Sequence, residues 1–370
     1  MPLPFNGFLQ FFLFLLVFLA IHSLCVLFSE KKWIRINAII FSLVYILFAS
    51  IDTFIFTVIL ALYTSIYVHF DWKKWFILGV LPITLIFTAA RLLSDFELLS
   101  VLFASFVYIR CLGTILWTNK FKKQKFLVPD VFLSIIFFPT FAIGPIQFAD
   151  KINAANLAIL PTWHDLGYGI KRFLIGFAMI AWLGPEFTSK IYPLILSHDT
   201  VIWLKPMLWL AACWAWLLNI YVMFAGYTSI AIGFCRILGF EVRENFDKPW
   251  LARTLQEFWQ RWHLSLVWAT NNLGYQPYVR KTGRRYIGVF LTFTFIGVWH
   301  AFSLNYLLWG MLHGFGLALL AWAVRQPKTK EWWKNSKNIL YYNKILQLIG
   351  WFITMSYVAV LSRFASFTIT

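Results

Sequence analysis

The sequence predicts an all-α, polytopic integral membrane bundle, and three observations carry that reading. Hydrophobic residues are 61% of the chain and aromatic residues 20%, against 13% charged, more apolar surface than a soluble domain of 370 residues can hide. The apolar residues recur in stretches near twenty, the length that crosses a hydrocarbon core. The basic residues stand in short clusters between those stretches, as positive-inside topology requires.

Taken in order, apolar spans fall at about 7–28, 36–51, 53–70, 75–92, 99–118, 131–148, 167–184, 204–224, 226–240, 286–302, 303–324 and 345–367. The count is ten to twelve, because Asp52 either divides two helices or lies in one kinked segment. No Lys or Arg precedes the first run, which continues from Gly7 to about Phe28 without a small-residue cleavage site, so it reads as a retained first helix and not a signal peptide. Basic clusters occur at Lys31-Lys32 with Arg35, at Lys73-Lys74, from Lys120 to Lys125, and from Arg325 to Lys344. Acids with little basic company occur at Asp52 and at Asp95 with Glu97. The alternation places the basic set in the cytoplasm and the acidic set outside, with the N-terminus outside. Over 150–240 the votes conflict. Arg91 and Arg110, near helix ends, read as side chains that snorkel to the interface.

The segment 241–285 differs in kind. It mixes Arg243, Glu244, Asp247, Lys248, Arg253, Glu257, Arg261 and His263 with many large apolar residues. That is too polar to span lipid and too apolar for a free loop, and reads as interfacial and re-entrant helices closing over a site. The organisation is therefore N-terminal transmembrane helices over 1–130, a core over 131–324 that contains this segment, and a basic cytoplasmic loop with a C-terminal transmembrane helix over 325–370.

Composition also excludes several functions. The net charge of +17 comes without a groove-forming or RNA-binding motif, so it speaks for a membrane and against nucleic acid. Cys25, Cys111, Cys213 and Cys235 lie in or beside apolar segments with no C-x-x-C pair, and read as small hydrophobes without disulfide or metal roles. No H-E-x-x-H, G-x-S-x-G or Walker sequence occurs, and Gly314-Phe315-Gly316 is helix packing and not a dinucleotide fingerprint.

Two histidines stand out, each directly behind a Trp: His263 in Glu257-Phe258-Trp259-Gln260-Arg261-Trp262-His263-Leu264-Ser265-Leu266, and His300 in Gly297-Val298-Trp299-His300-Ala301. An imidazole at membrane depth loses hydration and must be held by partners, which marks a functional position. A buried neutral imidazole can take a proton from an alcohol and return it to a leaving group, the service that acyl transfer from a thioester to a hydroxyl needs. Each ring taken alone also fits a structural polar group bonded to a carbonyl. Arg261 is a candidate donor-site residue, with an i,i+4 ion pair to Glu257 as the structural alternative. Tyr227, Asn245, Trp259 and Trp299 are candidates to line a cavity, and both Trp residues also suit packing. His313, between Gly310 and Gly314, suits a close helix contact as well as a substrate site.

The ordered motifs resemble the membrane-bound O-acyltransferase family, in its bacterial alginate O-acetylase and D-alanine transfer branch. They are Phe141-Ala142-Ile143-Gly144-Pro145-Ile146, Phe224-Ala225-Gly226-Tyr227-Thr228-Ser229-Ile230-Ala231-Ile232-Gly233, and Leu238-Gly239-Phe240 through Glu244-Asn245-Phe246-Asp247-Lys248-Pro249-Trp250. The runs ending at His263 and His300, and Trp309-Gly310-Met311-Leu312-His313-Gly314, complete the series over roughly 140–320. Met223 and Asn271-Asn272 depart from it, standing where many bacterial members have an Asp and an Arg-Asp pair.

The resemblance implies a helical bundle around a central tunnel, with His300 at the catalytic position as general base and His263 at the second polar position. It implies an acyl thioester donor, acetyl-CoA or an acyl carrier protein, with no bound cofactor and no metal. It further implies an envelope polysaccharide acceptor, an extracytoplasmic partner of the SGNH-hydrolase type, and a place in the bacterial cytoplasmic (inner) membrane. D-alanyl or longer acyl transfer to teichoic acid, lipid or protein is the alternative within the family. A proton-coupled transporter would predict repeat symmetry and paired intramembrane acids, which are not seen. A membrane scaffold would leave both Trp-His motifs unexplained.

Overall fold

The computed structural model describes residues 8–28, 30–70, 76–93, 98–120, 126–186, 205–327 and 344–366. Among these residues the regular structure is helical, with one isolated antiparallel bridge between Phe246 and Trp262. Seven helices there are long and apolar enough to cross a membrane. The all-α polytopic class predicted from composition is thus the class observed. Asp95 and Glu97, the basic run 121–125 and most of the basic run 325–344 lie outside the described residues.

The chain forms two compact units: Met1–Gly176 with Tyr227–Arg243, and Phe177–Gly226 with Glu244–Thr370. In the first, α1 (Phe8–Leu27), α2 (Lys31–Ala49), α3 (Ile51–His69), α4 (Phe76–Leu93) and α5 (Leu98–Lys120) follow one another. The break between α2 and α3 falls at Ser50, whose hydroxyl accepts the N–H of Thr53 at 3.4 Å. Asp52 therefore sits in the first turn of α3, where a carboxylate suits the exposed N–H groups.

The apolar stretch 131–148 does not form the span expected for it. It divides into α6 (Val128–Ile136) and α7 (Phe138–Phe141), followed by turns. Pro139 explains the break, since it has no N–H to offer the carbonyl four residues back and its ring clashes with that group. The carbonyl is that of Ile135, and Arg110 Nη1 donates to it at 3.1 Å while Nη2 donates to the Thr140 carbonyl. Arg110 is 1% exposed, so the expectation that it snorkels to the interface is corrected. Arg91 is half-buried, with its guanidinium over the Phe87 ring.

A second polar staple joins α2 to α6. Arg35 Nε and Nη2 donate to the two Asp130 oxygens at 2.8 and 3.2 Å, and the Ala154 N–H adds a bond of 3.1 Å from the start of α8 (Ala154–Leu157). The apolar core of this unit is aromatic: Phe18 meets Phe138 edge-on at 5.0 Å, and Phe138 meets Phe234 at 5.7 Å. The helix α9 (Trp163–Glu186) begins here and carries a π turn at Met179–Leu183.

The spans expected at 204–224 and 226–240 are one helix, α10 (Lys205–Ile237), of 33 residues. Only Ala225 separates the two apolar runs, with Gly226 next to it, and one interior glycine costs about 1 kcal/mol, too little to end a helix. At 1.5 Å per residue α10 is about 50 Å long, well over a hydrocarbon thickness.

In the second unit, 244–285 folds as short pieces, none long enough to cross a bilayer. A 3-10 turn at Pro249–Leu251 precedes α11 (Leu255–Trp259) and α12 (Leu264–Thr270), and a π turn at Asn271–Tyr275 leads to α13 (Gln276–Thr282). Then α14 (Arg285–His300), α15 (Leu304–Ala323) and α16 (Lys344–Ala365) complete the chain. Their bounds lie within two residues of those read from hydropathy. Glycines let α14 and α15 cross at backbone contact. A Cβ built on Gly297 would lie 3.0 Å from the Gly310 Cα and would also strike the Tyr306 carbonyl.

Candidate active site

His263 is placed by a short piece of paired backbone. The Asp247 N–H donates to the Arg261 carbonyl and the Leu264 N–H to the Asn245 carbonyl, each at 3.0 Å, on either side of the Phe246–Trp262 bridge. Two strands this short cannot continue, and the chain turns into α12 with His263 at φ +47 and ψ 50. Among the described residues only Lys248 and His263 are non-glycine residues with positive φ. Left-handed backbone costs a non-glycine residue about 1–3 kcal/mol and tends to gather at functional sites.

The ring of His263 is held as firmly as its backbone. Asn245 Oδ1 lies 3.4 Å from His263 Nδ1, accepts the Ser265 N–H at 3.2 Å, and accepts the Ser265 hydroxyl at 2.6 Å. A backbone N–H can only donate, so the atom it faces is the amide oxygen, and His263 Nδ1 must carry a proton to bond it. The lone pair is left on Nε2. Phe224 packs edge-on against the ring at 4.7 Å, and Trp299 stands 6.4 Å away. His263 is buried. Burial first, and neighbouring His300 second, push its pKa well below the ordinary imidazole value, so the ring is neutral at physiological pH.

His300 closes α14, one residue beyond buried Trp299. Its ring lies 4.7 Å from Trp299, 5.8 Å from Tyr306 and 5.5 Å edge-on from Trp309. The glycine crossing of α14 and α15 fixes this end, because Gly297 is three residues before His300. Unlike His263 the ring is only half-buried.

His313 lies deeper, fully buried on α15. Its Nδ1 accepts the indole N–H of Trp259 at 3.3 Å, and Trp309 meets it at 4.8 Å. Trp309 thus touches both His300 and His313. Asn245 Nδ2 and His313 Nε2 are buried and find no hydrogen-bond partner among the described residues.

The second unit therefore brings together His263, His300, Asn245, Trp259, Trp299 and His313 through one aromatic and polar network. Arg261 is half-buried and points to Asp247, bonding its carbonyl at 3.2 Å and facing its carboxylate at 3.7 Å. The alternative pairing with Glu257 gives way to a different contact. Glu257 accepts the Arg253 N–H at 2.8 Å, while its own N–H is capped by Thr254 at 3.1 Å. Tyr227 belongs to the first unit. Sequence reasoning assigned no role to Ser265, Phe224 or Trp309. All three lie inside the recognisable motifs, but nothing in their spacing announces which ring or amide they touch. Among the described residues no three His, Cys, Asp or Glu side chains gather as a metal site.

Comparison with known proteins adds to this geometry. A family model of the membrane-bound O-acyltransferases matches residues 118–362. A probable alginate O-acetylase of Pseudomonas aeruginosa is 30% identical over 185 residues, 48% of this chain and 34% of that protein. A teichoic acid D-alanyltransferase of Streptococcus thermophilus is 25% identical over 299 residues, 75% of this chain and 71% of that protein. A peptidoglycan O-acetyltransferase of Helicobacter pylori is 27% identical over 213 residues, 53% of this chain and 37% of that protein. The chain spans 34% and 50% of the first two curated relatives it matches. With both Trp-His motifs inside the matched span and a family model over most of its length, this chain belongs to the membrane-bound O-acyltransferase family.

Proposed function

We propose that this protein is a membrane O-acyltransferase that moves an acyl group, acetyl in our reading, from a cytoplasmic thioester to a hydroxyl of an extracytoplasmic envelope polysaccharide. The observation that carries the reading is the convergence of His263 and His300 on Trp299 in one unit, with ring centroids 6.4 and 4.7 Å from it, His263 being buried and strained. His300, half-buried, takes the proton of the acceptor hydroxyl as its oxygen attacks the thioester carbonyl. The C–O bond forms, the C–S bond breaks, and the proton returns to the departing thiolate. His263, with Nδ1–H fixed by Asn245 and Nε2 carrying the lone pair, orients the pair across the site. Trp259 and Trp299 wall it, and Arg261 meets the donor's phosphates. No bound cofactor or metal enters the scheme.

Acetyl-CoA is the proposed donor, with an acyl carrier protein as the other source of the same thioester. A separate SGNH-type protein outside the membrane completes delivery to the polysaccharide, and the bacterial inner membrane is the proposed location. D-alanyl transfer to teichoic acid is the second reading, favoured by the match to a teichoic acid D-alanyltransferase over 75% of this chain. Membranes containing the chain, given isotope-labelled acetyl-CoA, are expected to form a base-labile acetyl ester and release free thiol. D-alanyl ester from a charged carrier, with no acetyl ester, would select the second reading. Neither ester would count against both.

A further inference from the structure

The second unit holds a cavity of about 350 Å³ that the proposed acyl transfer does not use. Its walls come from α10, α16 and the segment between Pro249 and Trp262, with Trp214, Leu218, Tyr221, Trp250, Trp262 and Trp351 prominent among them. The volume would hold roughly ten waters at about 30 Å³ each. Those waters would meet almost no polar group. The indole N–H of Trp351 donates to the Trp250 carbonyl at 2.6 Å and that of Trp214 to Ser356 Oγ at 3.2 Å, so these donors are already engaged within the protein. A space so lined favours hydrocarbon over water.

The surroundings select the kind of hydrocarbon. Both α10 and α16 are long and apolar enough to cross a membrane, and Leu218 and Trp250 on the cavity wall are exposed. Lipid tails are the medium against such a helix. Basic residues stand on the segments that wall the cavity. Lys248 directly precedes the wall residue Pro249, and Arg253 lies where its carbonyl accepts Thr354 Oγ1 at 3.1 Å, three residues beyond Trp351. Lys344 begins α16, seven residues before Trp351, about 10 Å along the helix. Lys248, Arg253 and Lys344 are all exposed. Of the acids nearby, Asp247 faces Arg261 and Glu257 takes the Arg253 N–H.

We propose that this cavity binds one tail of an anionic membrane phospholipid, which is not consumed, with its phosphate among Lys248, Arg253 and Lys344. The tail packs against Trp262, the residue before His263, and so supports the loop that holds that histidine.

The test uses the purified full chain in detergent and a phospholipid with a photoreactive group in its tail. Phosphatidylglycerol is expected to label the peptides containing Trp214–Tyr221 and Trp351–Met355. Phosphatidylcholine should label them several-fold less, and Lys248→Glu with Arg253→Glu should weaken labelling by the anionic lipid about fivefold for each charge. Ala215→Trp fills the cavity, as does Leu218→Trp at an exposed position that disturbs the interior less. Either should abolish the wall label while the outward face of α1 stays labelled. Persistence of the wall label in both filled variants would overturn the proposal, as would equal labelling by the two lipids. Displacement by a long-chain acyl thioester, but not by unlabelled phospholipid, would overturn it in favour of a donor-chain site.

Discussion

Asn245 and His263 meet through one amide oxygen, which lies 3.4 Å from His263 Nδ1 and also takes both the N–H and the hydroxyl of Ser265. One side chain thereby sets the tautomer of the histidine and anchors the first turn of α12. Asn245→Ala is expected to lower stability by about 1–3 kcal/mol, since Ser265 and His263 lose a buried acceptor together. Acyl transfer should fall at least about tenfold, the factor for 1.4 kcal/mol of lost positioning. Thermal unfolding in detergent and ester formation, measured on the same preparation, check both.

Acid should destabilise the protein through His263. Its folded pKa is depressed by burial and by His300, whereas the unfolded ring titrates near the ordinary value of about 6.5. Below that value the unfolded chain binds a proton that the folded chain refuses, so stability is complete above it and declines as pH falls. His263→Gln should flatten the pH dependence of the unfolding midpoint between about pH 7 and pH 5. An unchanged slope would assign the acid sensitivity elsewhere.

The crossing of α14 and α15 leaves no room for a methyl group at Gly297 or Gly310. Gly297→Ala should cost about 1–3 kcal/mol by overpacking and displace His300, three residues away. A loss of turnover larger than the loss of folded protein is the expected signature, read by normalising ester formation to the folded fraction.

Arg110 answers the break that Pro139 makes. Arg110→Met strands the Ile135 and Thr140 carbonyls and is expected to destabilise the first unit by about 1–3 kcal/mol for each group left unpaired. Arg110→Lys should recover only part, because one ammonium lacks the planar fork that reaches both carbonyls. Unfolding midpoints of the two variants give the comparison.

Hydropathy made most of this fold legible, because a span announces itself by length alone. The bounds of α14, α15 and α16 could be read to within two residues for that reason. The same signal cannot see local backbone chemistry. It joins 131–148 into a span across Pro139, and it splits α10 at Ala225, beside Gly226, where one glycine is too weak to stop a helix. The candidate site was legible as two Trp-His motifs, because polar rings in an apolar chain need a reason. Its geometry was not. The left-handed backbone of His263 and the three donors on Asn245 depend on pairing residues about 16 to 20 apart, and the tie between Trp259 and His313 spans 54. The burial of Arg110 was likewise hidden, since its acceptors lie 25 and 30 residues away.

The most direct test of the central claim is the O-acyl content of the envelope glycans. Mass spectrometry would compare cells carrying the wild-type chain, His300→Ala, His263→Ala or no chain, at matched membrane expression. Loss of the same acyl mass in the deletion and in His300→Ala, with turnover in isolated membranes down by about 10²–10⁴ for a lost general base, is the predicted result. An acyl profile unchanged by the deletion, or fully kept by His300→Ala, would contradict it.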